Sequence, residues 1–241
     1  VGLGTLINMA AIAAGGTAGL VFRRYLSKSL QTNLMSVMGL VCMFLGTAGT
    51  LSLMLRVSGT GPALTSTGSM MMVISFTVGT LIGTILKLED RFEGFGLWLQ
   101  RKAGRTGDNG FIGAFVTASL TVCIGAMAVI GSIQDGILGD HSTLFAKAVL
   151  DLIIVMVMTA ASGKGCIFSA IPVAIFQGTI TALSNLLEDV MNRQALDNLS
   201  LVGAVMIFCV GVNLVWGKKF RVANMLPGLV LAVVCAFLPW F

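Results

Sequence analysis

The sequence predicts an all-α, polytopic membrane protein: about eight transmembrane helices, arranged as two four-helix parallel pseudo-repeats. Three observations carry that expectation. Of 241 residues, 56% are hydrophobic and only 10% are charged, whereas a soluble domain carries about 25% charge. The apolar residues are gathered into stretches long enough to span a bilayer, for which roughly 20 residues suffice. The short connections between them alternate between many bases and almost none.

Taken in order, the apolar stretches predict spans near 3–22, 34–55, 69–87, 111–132, 143–162, 166–187, 199–216 and 223–240. The first is followed by Arg23, Arg24 and Lys28, the second by Arg56 alone. Lys87, Arg91, Arg101, Lys102 and Arg105 follow the third. The connection after the fourth holds Asp135 and Asp140 but no base. Lys164 follows the fifth, Arg193 the sixth, and Lys218, Lys219 and Arg221 the seventh. Twelve bases therefore fall on one side against two on the other, and the positive-inside bias puts both termini outside. The first apolar run has no basic residue ahead of it, which suits a retained helix rather than a removable signal. Only Ser162-Gly163-Lys164-Gly165 joins the fifth and sixth spans, so a re-entrant pair is the alternative there.

Residues 88–103 carry Leu88, Phe92, Phe95 and Leu99 on one helical face and charges elsewhere, the pattern of an amphipathic interfacial helix with Trp98 at headgroup level. Sliding the chain by 132 residues aligns 44–87 with 176–219 without a gap. The thirteen identities include Phe44/Phe176, Gly46/Gly178, Gly79/Gly211 and Lys87/Lys219, where biased composition alone would give about four or five. Asn109 to Gly113 and Asn224 to Gly228 share an N-x-x-x-G pattern at the starts of the fourth and eighth spans. The expected division is a first half over 1–132 and a second over 133–241. An even number of spans per half implies an axis along the membrane normal.

Polar residues inside apolar stretches are the functional candidates, because a charge at bilayer depth needs a partner or a pathway. Lys147 and Asp151, four residues apart in the fifth span, share a helix face. Asp151 lies about eight residues in, or roughly 12 Å deep at 1.5 Å per residue. Two readings stand: a neutralised pair locking the bundle, or a coordinating carboxylate with Lys147 as its resting counter-charge. Asn8 sits at similar depth in the first span, as helix glue or as an ion ligand. If the first and fifth spans correspond, Asn8 and Asp151 face one axis. Gln177 lies mid-span and Asn213 near the inner end of the seventh span; their repeat partners are Leu45 and Leu81, so polarity enters one copy only. Pro172 and Pro227 would kink their helices and free carbonyls. The loop holding Asp135, Asp140 and His141 offers these groups to water, as a cation-gathering funnel or as a solvated turn.

Gly15, Gly16, Gly19, Gly46, Gly49, Gly79 and Gly83 allow close helix approach. Thr117, Ser119 and Thr121 suit either a cavity lining or back-bonding to helix carbonyls. Five cysteines, none in CxxC spacing, and a single histidine support neither a zinc site nor a disulfide framework. No cofactor or metal is expected, nucleic acid is not a partner, and no nucleophile–base pair suggests an enzyme.

The segments G-T-L-I-N and G-G-T-A-G near the start, G-A-M-A-V-I-G-S-I-Q-D-G-I-L-G-D, the K-x-x-x-D of the fifth span and V-A-N-M-L-P-G-L near the end together resemble the bacterial domain of unknown function 554 family, the YqgA-like inner-membrane proteins. The resemblance covers nearly the whole chain. It implies an inner-membrane location and suggests ion transport, of the sodium-channel or pump kind, without assigning site residues. The expectation is a channel or transporter for a small cation, Na⁺ or H⁺, in the lipid bilayer. Its pathway would run between the two halves past Asn8, Lys147, Asp151, Gln177, Asp135 and Asn213. The alternative is a non-transporting scaffold or assembly protein in which Lys147–Asp151 is structural. The many small-residue faces also suit a homodimer.

Overall fold

The structure, a computed structural model, describes residues 2–57, 64–102, 110–124, 126–187 and 192–238. It is helical apart from one short antiparallel hairpin, Leu55–Val57 with Leu64–Ser66. In chain order the helices are α1 (Leu3–Arg23), α2 (Lys28–Met54), α3 (Ser69–Ile85), α4 (Leu88–Lys102), α5 (Phe111–Cys123) and α6 (Ala126–Ile137). They continue as α7 (Ser142–Ser162), α8 (Ala170–Ala182), α9 (Ser184–Leu187), α10 (Arg193–Trp216) and α11 (Pro227–Cys235).

Over the described residues each expected apolar stretch is mainly helical, but they are not eight unbroken spans. Five segments are long and apolar enough to cross a membrane: α1, α2, α7, the run Lys164–Ala182 that ends in α8, and α10. Two bent pairs could each make one more, α3 with α4 at 54° and α5 with α6 at 61°. The last apolar run, Val222–Cys235, is shorter. The expected fourth span, 111–132, breaks where Ile124 takes an extended conformation (φ −80°, ψ 121°) after α5. Apolar periodicity does not register such a break, because both halves remain hydrophobic.

The chain forms two compact units, Val1–Gly39 with Asp90–Asp189, and Leu40–Glu89 with Val190–Phe241. Both units are discontinuous in sequence. They do not follow a division at 132/133, and the second copy of the 132-residue offset, 176–219, contributes to both.

In the first unit, α1 lies along α7 at a separation that only glycine permits. A Cβ on Gly15 would collide with the carbonyl oxygen of Leu152, and one on Gly19 with that of Met156. Such Cα–H···O contacts contribute about 0.5–1 kcal/mol each, and dispersion along the groove adds to them. Ile12, Leu144, Val155 and Met158 are buried in the core. The Arg23 guanidinium donates to the carbonyls of Ala160 (3.3 Å) and Ala161 (2.8 Å), covering the C-terminal end of α7. From α4, Phe92 and Phe95 meet the ring of Phe115 on α5 at 6.0 and 5.9 Å, and Leu99 is buried. The apolar face read from the sequence is thus the packed face, while Trp98 is exposed.

In the second unit, glycines again set helix approach. Gly79 and Gly83 of α3 sit against Gly228 and Asn224, and Gly46 of α2 against Ala204 and Phe208 of α10. Glu89 is buried at the α3–α4 corner. Its carboxylate accepts from Lys218 (2.9 Å) and from the Ala223 backbone N–H (2.9 Å), and its own N–H donates to Asn224 Oδ1 (2.8 Å). A solvated helix face would have been the reading of Glu89 from sequence; partners 129 or more residues away bury it instead.

Both α7 and α10 end at a glycine with positive φ, Gly163 (104°) and Gly217 (76°), and a 3₁₀ turn then leads into a helix bearing a proline. Pro227 is the first residue of α11 and Pro172 the third of α8. The prolines therefore occupy first turns, where the missing N–H has no intrahelical acceptor to lose, rather than kinking a span.

Gly15→Ala and Gly19→Ala should each lower the stability of the detergent-solubilised protein by about 1–3 kcal/mol or more, as overpacking does. Gly178→Ala, where a Cβ meets nothing within 4 Å, should be neutral or stabilising. Thermal unfolding of the three variants side by side checks this.

Candidate functional site

The first unit holds a buried polar cluster built from α1, α5, α7 and α8. Lys147 and Asp151, one turn apart on α7, form an ion pair at 2.7 and 2.9 Å, with 8% and 3% of the two residues exposed. The Lys147 ammonium also donates to the carbonyl of Val122 at 2.8 Å. That carbonyl lies in the last turn of α5, just before the chain turns extended at Ile124, so the break in the helix exposes an acceptor that the ammonium takes up. Asn8 of α1 meets the same carboxylate: its Nδ2 donates to Asp151 Oδ2 (3.0 Å) and to Gln177 Oε1 of α8 (3.2 Å). One turn along α1 and α8, the hydroxyls of Thr5 and Thr181 stand 3.5 Å apart.

The direction of these amides follows from charge. An ionised carboxylate only accepts, so Asn8 must turn its NH₂ to Asp151. Gln177 can then present only its oxygen to that same NH₂. This arrangement leaves Asn8 Oδ1 and Gln177 Nε2 buried without a hydrogen-bond partner. Among the described residues, the other buried side-chain polar atoms in that condition are Ser119 Oγ, Asp135 Oδ2 and Thr159 Oγ1, and all five belong to the first unit. Native interiors leave few such groups, and each calls for a bound water, an ion or a functional role.

Asp135 is not in a solvated loop as expected. It is carried on α6, is fully buried, and meets His141 Nδ1 at 2.6 Å through Oδ1. Its Oδ2 faces Gly4 of α1, one helical turn from Asn8. The turn between α6 and α7 is fixed by Gly139 at φ 63° and by Thr143 Oγ1 donating to Gln134 Oε1 (2.7 Å). Asp140 is exposed there and accepts from the Ser142 N–H (2.9 Å). That hydrogen bond holds its carboxyl below the ordinary carboxylate range.

Four of the six sequence candidates, Asn8, Lys147, Asp151 and Gln177, thus meet in one cluster. Asp135 lies along the same face of α1. Asn213 does not join them. It is in the second unit, where its Oδ1 accepts from the N–H groups of Lys219 and Phe220 (2.8 Å each) and its Nδ2 donates to the Phe220 carbonyl (2.8 Å). Its role is to close the turn after α10, and mid-span polarity alone could not separate that from a pathway ligand. Of the hydroxyls singled out on α5, Thr121 bonds back to the Thr117 carbonyl (2.8 Å), while Ser119 is one of the unpartnered groups. The sequence reading missed Thr5, Thr181 and the Val122 carbonyl. The first two carry a weak signal, since each lies one turn from a candidate amide.

Long apolar helices, glycine-mediated packing and a charged cluster inside the bundle define a helical, multi-pass membrane protein. The chain belongs to the family described as protein of unknown function DUF554, whose profile matches residues 3–237. It is similar to the uncharacterized membrane protein YdfK of Bacillus subtilis (strain 168), 26% identical over 234 residues that cover 97% of this chain and 95% of that one. It is equally similar to the uncharacterized protein YqgA of Escherichia coli (strain K12), 26% identical over 245 residues and 99% of each chain. No solved structure matches the chain.

Removing one member of a buried pair leaves a charge without compensation, at a cost of about 3–5 kcal/mol. Lys147→Met should therefore be strongly destabilising. Lys147→Met/Asp151→Leu should recover most of the loss, and a double-mutant cycle of unfolding in detergent measures the coupling.

Proposed function

We propose that the protein is a channel or transporter for a small cation, Na⁺ or H⁺, in the bacterial inner membrane, with Asp151 as the group the ion visits and Lys147 as its resident counter-charge. The pathway in this reading runs through the bundle of α1, α5, α7 and α8. The observation that carries it is the Lys147 ammonium bridging Asp151 and the carbonyl that the break after α5 frees. A lock between helices needs only the carboxylate. A helix interrupted beside a buried charge, with its carbonyl end turned inward, is the arrangement by which membrane proteins build ion sites. The unpartnered atoms around it, Asn8 Oδ1 and Gln177 Nε2, support a site that exchanges occupants.

The same proposal holds that both termini face outward, following the bias of basic residues, and that α4 lies at the inner interface. It also takes the halves to be an ancient duplication, supported by the thirteen identities at one offset, and a homodimer would suit the small-residue faces. No catalytic chemistry is assigned. The second reading, a scaffold held by a structural Lys147–Asp151 pair, is favoured by how little of that pair is exposed.

Flux in proteoliposomes separates the two. Asp151→Asn removes the charge and keeps one acceptor oxygen for Lys147 and Asn8. At some cost in stability, it should abolish cation movement in protein that still elutes as the folded species. If Lys147→Met/Asp151→Leu keeps full flux, or full function in cells, the scaffold reading stands and transport through this cluster fails.

A further inference from the structure

The transport reading leaves the ion open, and the polar groups around Asp151 narrow it. A metal ion requires a shell of oxygens. Here the carboxylate is faced instead by N–H donors: the Lys147 ammonium on both oxygens and Asn8 Nδ2 on one. Among the described residues, no group of three or more His, Cys, Asp or Glu side chains is placed to hold a metal. Alternating donors and acceptors serve proton transfer, which needs no coordination shell.

A string of such groups leads away from the cluster along α1. His141, with 31% of its side chain exposed, contacts the fully buried Asp135 at 2.6 Å. The second oxygen of Asp135, unpartnered, points at Gly4. The Thr5 and Thr181 hydroxyls come next, then Asn8 with Gln177, then Asp151. Gly4 and Asn8 are one turn apart, about 5–6 Å, so proton passage between them calls for one or two bridging waters.

Resting on the transport reading above, we propose that the ion is the proton, and that His141 and Asp135 form its acceptor pair at the α6–α7 end of the bundle. A proton from bulk water binds the part-exposed imidazole of His141 and passes to Asp135 Oδ1, 2.6 Å away. Asp135 releases one from Oδ2 into the hydroxyl and water chain. The last carrier protonates Asp151, converting carboxylate to carboxylic acid and leaving Lys147 to the Val122 carbonyl. No bond other than those to the moving proton changes.

The charged and titratable neighbours fit this path. Around the acceptor pair, the described parts of α1, α8 and α9 contribute no titratable side chain except Arg23 at the far end of α1. Asp140 adjoins in the turn, and α7 contributes Lys147 and Asp151, deeper in the bundle. Around Asp151, α7 supplies Lys147, α5 supplies the Cys123 thiol, and α1 and α8 supply only the amides.

The full chain in proteoliposomes, with a trapped pH-sensitive dye and separately with radioactive sodium, tests the assignment. Dye acidification under an imposed potential is expected, without sodium uptake. His141→Gln should flatten its pH dependence, and Asp135→Asn should slow it by about tenfold or more, given that a positioned proton carrier is worth roughly 10²–10⁴ in rate. If Asp135→Asn does not fold, His141→Gln, altered at a part-exposed position, decides alone. Sodium flux abolished by Asp151→Asn, or proton flux indifferent to His141→Gln, overturns the proton assignment and leaves the cation reading standing. Flux of either ion that survives Asp151→Asn overturns both.

Discussion

The approach of α1 to α7 is the constraint on which the charged cluster depends. Gly15 and Gly19 let the α1 backbone rest on the carbonyls of Leu152 and Met156. Two turns along the same α1 face, that spacing sets Asn8 within hydrogen-bond reach of Asp151. Were the helices held apart by methyl groups, the amide would fall short and the carboxylate would lose its partner on that side. In hydrocarbon there is no solvent to take the amide's place. Helix packing and polar satisfaction are therefore one requirement here, not two.

How much of this was legible depends on how local each interaction is. Lys147 and Asp151 could be paired from sequence because a helix brings residues four apart together whatever else happens. Asn8 meets Asp151 across 143 residues, and its depth in the first span pointed there only under an assumed correspondence of spans. Gln177 stood out because an amide is costly among lipid-facing side chains. The same signal at Asn213 marked a turn, since depth along a span is uncertain near its end. Asp135 was read as solvated because charges cluster near loops. Its burial comes from α6 packing against α8 and α9, where a Cβ on Gly136 would strike Ser184. The break after α5 left no trace in hydropathy, and the burial of Glu89 required Lys218 and Ala223, which no local pattern connects to it.

Two of the buried carboxylates, Glu89 and Asp151, are held in different ways. Glu89 has a cation, the Ala223 backbone N–H and the Asn224 side chain as partners at its corner, with Lys218 half exposed to the surroundings. These bonds tie the α3–α4 corner to the segment after α10, and among the described residues neither Glu89 nor Asn224 has an unpartnered buried polar side-chain atom. Asp151 has a cation that is itself shared with a carbonyl, and an amide whose oxygen is unsatisfied. A satisfied network rigidifies a fold; a partly satisfied one stands at a cost unless it does something else. Within one chain, then, the carboxylate of Glu89 sits in a satisfied corner and that of Asp151 beside unpartnered amide atoms.

The amide pair makes the charge on Asp151 consequential beyond its own atoms. With the carboxylate ionised, Asn8 must donate to it and Gln177 must accept from Asn8. A neutral Asp151 has a hydroxyl to donate, so Asn8 could turn its oxygen to that hydroxyl and receive the Gln177 NH₂ as well. Reversal exchanges which amide atoms lie unpartnered, Asn8 Oδ1 and Gln177 Nε2 in one state, Asn8 Nδ2 and Gln177 Oε1 in the other. The count of unsatisfied groups is the same, so neither direction is favoured by hydrogen bonding alone and the proton on Asp151 decides. The charge on Asp151 therefore sets the direction in which the Asn8–Gln177 amide pair is turned.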